Sequence, residues 1–113
     1  MAMSTVYEAV EPLRAEVEAI AGIALLEFGT SWCGHCHAAQ PLLQAALSNQ
    51  PKLRHLKIAD GRGQPLGRSF GVTLWPTLVF LRDGREAARL VRPTSVAEIQ
   101  RALVRVDSEH GAT

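Results

Sequence analysis

The sequence predicts one α/β domain, a mixed central β-sheet of four to five strands flanked by helices on both faces. Three observations carry that expectation. A chain of 113 residues with 47% hydrophobic content can bury a core without cross-links. Its segments read in the order helix, strand, helix, strand, two-strand hairpin, helix, which places parallel and antiparallel pairs in one sheet. The strand segments are short apolar runs, as expected of a sheet covered on both sides. One domain is expected over residues 1–113, with its core at about residues 8–106 and a polar, frayed tail at 107–113.

Each element has a local reason. Val10, Leu13, Val17 and Ile20 recur at helical spacing, so residues 8–21 are expected to form a helix that stops at Gly22. Thr5–Glu8 is a candidate edge strand just before it. Ile23-Ala24-Leu25-Leu26-Glu27-Phe28 is almost continuously apolar and reads as a strand buried on both faces. Gly29 to Trp32 turn the chain into a second helix from about Cys33 to Ser48, with Pro41 expected to kink it. Leu53–Ala59 is the next strand. Residues 60–71 are Gly-rich, contain Pro65 and read as a loop with one helical turn at most. Thr77–Leu81 is a strand, and Asp83-Gly84 is a strong hairpin signal that returns Glu86–Val91 antiparallel. Ser95 caps a last helix with Glu98 placed for a capping box, and Val96, Ile99, Leu103 and Val106 form its inward face.

Charge excludes some classes of function. The formal net charge is +1, which argues against a dedicated binder of nucleic acid or of a membrane surface. The charges are unevenly spread: residues 1–50 carry one Arg against five Glu, and the remainder carries eleven Lys or Arg against six acids. A solvated surface accounts for that asymmetry. No apolar run reaches the 18 or so residues a membrane span needs. Glu8, Glu11, Glu16 and Glu18 break up the first twenty residues, unlike a secretory signal, so a cytoplasmic location is expected.

The two cysteines stand three apart, as Cys33-Gly34-His35-Cys36. A disulfide closing so short a loop constrains the unfolded chain very little, so stability does not explain the pair. In a reducing compartment such a pair is catalytic or metal-binding. At the start of a helix, Cys33 would meet unpaired backbone N–H groups and the positive end of the helix dipole, which favour its thiolate. Cys36, one turn on and deeper, would be placed to attack a mixed disulfide formed at Cys33. His35, lying between them, would stabilise the Cys33 thiolate and make the disulfide a stronger oxidant; ~30 mV corresponds to ~1.4 kcal/mol for a two-electron couple.

Trp32-Cys33-Gly34-His35-Cys36, following the strand Leu25-Leu26-Glu27-Phe28, resembles the active-site segment of the thioredoxin superfamily. Its inner pair, Gly34-His35, is similar to that of protein disulfide isomerase domains. Pro41, the segment Gly71-Val72-Thr73-Leu74-Trp75-Pro76-Thr77 and the turn Asp83-Gly84 extend the resemblance over roughly residues 8–106. The resemblance implies a thioredoxin fold and a thiol–disulfide oxidoreductase that needs no cofactor or metal beyond the Cys33–Cys36 pair. It implies a cis peptide before Pro76, which would lie against the cysteines while the Trp75 backbone pairs with an extended substrate segment. Glu27 would help move the proton of the buried cysteine, and Lys57 stands at the position of the family's partner lysine. Trp32, Gly34, Trp75, Pro76 and Arg92 would line the substrate groove. Protein or small-molecule disulfides are the implied substrates, a reductase or thiol the implied electron donor, and a monomer the implied state.

Two positions depart from the family pattern. Arg92-Pro93-Thr94 replaces a small, glycine-containing loop and adds a charge to the groove, so a thioredoxin-like breadth of partners does not follow. Gly29 replaces an aromatic residue two positions after the acid, leaving the groove beside Trp32 either open or filled by Trp75. Two other readings of the residues stay open. Cys33, His35, Cys36 and His37 are potential metal ligands, with His55 or His110 as outsiders, although one short stretch surrounds a tetrahedral ion poorly. A redox-gated binding module without turnover would need the same cysteine pair. Gly61-Arg62-Gly63 lacks the strand–helix setting of a nucleotide loop.

Overall fold

A computed structural model describes residues 3–111, with side chains through Ser108. The elements run α1 (Arg14–Glu18), β1 (Ile23–Gly29), α2 (Gly34–Leu47), β2 (Arg54–Ala59), α3 (Pro65–Ser69), β3 (Thr77–Arg82), β4 (Arg85–Val91) and α4 (Val96–Gly111). The sheet order is β2-β1-β3-β4. β1 pairs in parallel with β2 and antiparallel with β3, and β3 pairs antiparallel with β4. This is the predicted mixed sheet, in its four-strand form.

Helices cover both faces. One core joins Leu25, Leu78 and Phe80 of the sheet to Leu43 and Leu47 of α2 and to Ile99, Leu103 and Val106 of α4. The other joins Leu26, Phe28, Ile58 and Val79 to Val17 of α1 and to Leu66 and Phe70 at α3. β1 therefore lies between two apolar layers, which explains its unbroken apolar run and isolates its one charge, Glu27.

The first helix is far shorter than its periodicity predicts. Pro12 has no N–H to donate and disfavours a helical residue before it, so the helix begins only after it. Glu16 marks that start by accepting the Leu13 N–H at 2.7 Å. Val17 is buried as expected, but Val10 and Leu13 are 81% and 69% exposed. The residues before Pro12 instead follow the outer edge of β2. Tyr7 forms a single parallel bridge with Lys57, and the Glu8 N–H donates to the Lys57 carbonyl at 2.8 Å. The candidate edge strand is thus reduced to one bridge.

At the hairpin, Asp83 and Gly84 both have positive φ (50° and 81°), the geometry a two-residue primed turn requires. A side chain at Gly84 would collide with the Glu18 carbonyl, so the turn also packs against the end of α1. The capping box forms: the Glu98 N–H donates to Ser95 Oγ at 3.2 Å, and the Ser95 N–H to Glu98 Oε2 at 3.0 Å. Helix α4 continues through residues 107–111, where a polar tail is expected from sequence.

Candidate active site

Strand β1 ends at Gly29, and the turn through Trp32 delivers Cys33 as the N-cap of α2. The Cys33 sulfur takes the part a cap oxygen would play, accepting the Cys36 N–H at 3.3 Å. Both cysteines are free thiols, 8% and 2% exposed. Their environments push them in opposite directions. Burial alone would raise the Cys33 pKa. It is outweighed by hydrogen bonds from the Cys36 thiol and from the Cys36 and His35 N–H groups, and by the Arg92 charge, so the thiol falls below its usual range. Burial, followed by the interaction with Cys33, pushes Cys36 up to about 12.

His35 meets Cys33 through its backbone. Its imidazole is exposed on the first turn of α2 and makes no hydrogen bond to either sulfur; support for Cys33 comes from its backbone N–H. His37 is also exposed, and its ring bonds the Ser31 carbonyl at 2.6 Å. Among the described residues no three Cys, His, Asp or Glu side chains gather as a metal site, and the His110 side chain lies outside them.

Across from Cys33, the Trp75–Pro76 bond is cis and Pro76 is buried. The Trp75 carbonyl lies 4.0 Å from Cys33 Sγ. Arg92, at φ 51°, returns from the end of β4 so that its N–H donates to the Pro76 carbonyl at 2.9 Å and its Nε to the Trp75 carbonyl at 2.8 Å. Trp75 also anchors its indole N–H on Asp60 at 2.8 Å and meets Trp32 edge-on, with ring centroids 5.6 Å apart. Trp32 is 75% exposed, and Gly34 beside it is exposed as well. The rim around Cys33 is therefore an aromatic wall, an open backbone and one guanidinium.

Behind Cys36 lies a buried polar cluster, of which sequence reasoning anticipated only half. Glu27 is fully buried and aligned with Lys57 across the β1–β2 pair. Its carboxylate takes His55 Nε2 at 2.8 Å, Gln40 Nε2 at 2.7 Å and Lys57 Nζ at 3.4 Å. Burial would raise its pKa, but the His55 hydrogen bond, the Lys57 charge and Gln40 together hold it below the ordinary carboxylate value. Gln40 Nε2 also donates to the Cys36 carbonyl at 2.9 Å, and its Oε1 accepts from Lys57 at 2.9 Å, tying α2 to the ion pair. His55 and Gln40 had sequence signals. His55 is two residues before Lys57 and so shares its strand face, and Gln40 is one helical turn beyond Cys36.

The space left by Gly29 is open to neither solvent nor Trp75. A side chain there would collide with Cys36 Sγ and lie 3.4 Å from the Tyr7 hydroxyl.

A family model described as "Thioredoxin" matches residues 4–105. Protein disulfide-isomerase A2 of Pongo abelii is 45% identical over 64 residues, which span 53% of this chain and 12% of that protein. The thioredoxin of Chlamydia muridarum is 34% identical over 70 residues, 62% of this chain and 69% of its own length. The solved structure of thioredoxin 2 from Pseudomonas aeruginosa PAO1 in its reduced form is 55% identical; the match covers 95% of this chain and 99% of that one, with a TM-score of 0.83.

Proposed function

This chain belongs to the thioredoxin family of disulfide oxidoreductases, and from that premise we propose that it exchanges disulfides with protein substrates through Cys33 and Cys36. The observation that carries the reading is the inequality of the two sulfurs, one held below the ordinary thiol range and the other pushed up to about 12. The Cys33 thiolate attacks a substrate disulfide, and one substrate thiolate leaves. Cys36 then loses its proton and attacks the Cys33 sulfur, closing the Cys33–Cys36 disulfide and expelling the second thiolate. Two electrons pass from dithiol to substrate, and a reductase or small thiol returns them. No other cofactor or metal enters this cycle.

Glu27 is the buried carboxylate on the Cys36 side, held ionised by His55, Lys57 and Gln40; its lowered pKa makes it a transient relay for the Cys36 proton, passing it on rather than keeping it. Trp32, Gly34, Trp75 and Pro76 receive an extended substrate segment. His35 contributes through its backbone N–H. Its Gly34-His35 pair aligns the motif with that of disulfide isomerase domains. Among the described residues no helix is long and apolar enough to cross a membrane, and the working form proposed is a cytoplasmic monomer.

Reduction of insulin driven by dithiothreitol tests the reading directly; a folded, fully reduced protein that does not accelerate it contradicts turnover. Arg92 adds a specificity component, because its guanidinium sits on the carbonyl next to Cys33. Acidic residues beside a substrate cysteine would be drawn to it. Arg92→Ala should therefore slow exchange with acidic peptide disulfides about two- to fivefold more than with neutral ones, and added salt should erase the difference. Equal losses for both peptides would remove Arg92 from substrate selection.

A further inference from the structure

Tyr7 lies outside the motif and outside the ion pair, yet three features converge on its side chain. Its backbone is pinned to the edge of β2 by the bridge to Lys57 and by the neighbouring Glu8 N–H. The Lys57 ammonium stands over its ring, 4.8 Å from the centroid. Its hydroxyl reaches the gap over Gly29, where a Cβ would touch it at 3.4 Å and would collide with Cys36 Sγ. A glycine at the end of β1 thus makes room for a phenol and the inner thiol in one partly buried space.

We propose that Tyr7 is a positioning residue for the resolving step, its O–H donating a hydrogen bond to the Cys36 thiolate as that thiolate forms. The proposal rests on the assignment of Cys36 as the resolving cysteine. The phenol keeps its proton throughout: burial, together with the negative charges of Cys36, Glu27 and Cys33, pushes its pKa above the usual tyrosine range. The Cys36 proton passes to base or water. The Cys36 sulfur then bonds to Cys33 as the Cys33–substrate bond breaks, and the departing substrate thiolate takes a proton from solvent. The groups acting on Cys36 come from every side. Cys33 and Glu27 oppose its ionisation and the Thr30 N–H favours it. Lys57 and His55 act behind Glu27, and Arg92 acts beside Cys33. Tyr7 is the donor from the N-terminal segment.

The test uses Cys33→Ser, which leaves Cys36 as the lone cysteine, and follows its alkylation by iodoacetamide from neutral to alkaline pH. Adding Tyr7→Phe removes one hydroxyl and retains the ring over Lys57. The expected result is a midpoint moved upward and alkylation at neutral pH slowed about three- to tenfold, the scale of one ordinary intramolecular hydrogen bond lost. In the two-cysteine protein the same substitution should lengthen the life of a substrate mixed disulfide by a similar factor. A merely structural tyrosine would lower the melting temperature and leave the titration unmoved. An unmoved or lowered midpoint overturns the proposal. Insulin reduction by the parent protein reports separately on the oxidoreductase reading, so failure of either is distinguishable.

Discussion

Cys36→Ser should convert the protein into a trap, accumulating mixed disulfides between Cys33 and its substrates that dithiothreitol releases. The reason is the division of labour set by α2. Cys33 is the N-cap, stabilised as a thiolate by N–H groups that face it, and it remains able to attack when its partner is gone. The second attack cannot occur without a sulfur one turn deeper. Cys33→Ser should remove the first step and lower turnover on the order of a thousandfold or more, the scale for loss of a nucleophile. Non-reducing electrophoresis and mass spectrometry of a substrate incubation distinguish the two. Turnover by Cys36→Ser at the parent rate would mean that an external thiol resolves the intermediate and that Cys36 is dispensable.

Glu27→Ala should be the most damaging substitution for the fold. Glu27 is fully buried, and its removal leaves Lys57 with Gln40 and His55 Nε2 without the carboxylate it bonds, His55 keeping only the Ser4 N–H on its other nitrogen. Breaking a buried pair from one side costs about 3–5 kcal/mol, enough to lower Tm on the order of 15 °C in a domain of this size. Chemical denaturation checks it, and a loss below about 1 kcal/mol would show the cluster to be hydrated or readily repacked. The pH dependence has a definite sign. Because the fold lowers the Glu27 pKa, its contribution is complete above the unfolded carboxylate value and is lost as pH falls through the folded one. The milder Glu27→Gln keeps the shape and removes the base. It should slow exchange more at neutral than at alkaline pH, where Cys36 ionises unaided; a defect independent of pH would point to packing alone.

Features written in local chemistry were legible in the sequence. Ile23–Phe28 reads as a two-sided strand because it is one. Asp83-Gly84 reads as a primed turn because positive φ at both positions is costly for most other residues, and Ser95 with Glu98 carries its own cap. The cysteine spacing placed both sulfurs on the first turn of α2. Residues 8–21 carry helical periodicity, but the helix forms only at Arg14–Glu18, because Pro12 stops it from extending toward Val10. For His35, proximity along the chain does not set side-chain direction: the residue is exposed, and the contact it makes with Cys33 is through its backbone N–H.

What the sequence could not disclose is contact between distant segments. Ser4 donates its N–H to His55 Nδ1 at 2.9 Å, across 51 residues, and this leaves Nε2 as the nitrogen that bonds Glu27. Tyr7 reaches Gly29 and Lys57 only because the N-terminal segment is extended along β2. Arg92 reaches the Trp75 carbonyl only because β4 returns beside β3. Each contact depends on topology: strand alternation puts His55 on the face of Lys57, but its bond to Ser4 follows only from the path of the N-terminal segment.

The most direct measurement is the pH dependence of Cys33 alkylation in the reduced protein, resolved from Cys36 by mass spectrometry. The environment at the start of α2 predicts a midpoint clearly below the ~8.5 of a free cysteine. It also predicts an upward movement when Arg92→Ala removes the nearby charge. A midpoint at or above that of a free thiol, with Cys33 no more reactive than Cys36, would contradict the account.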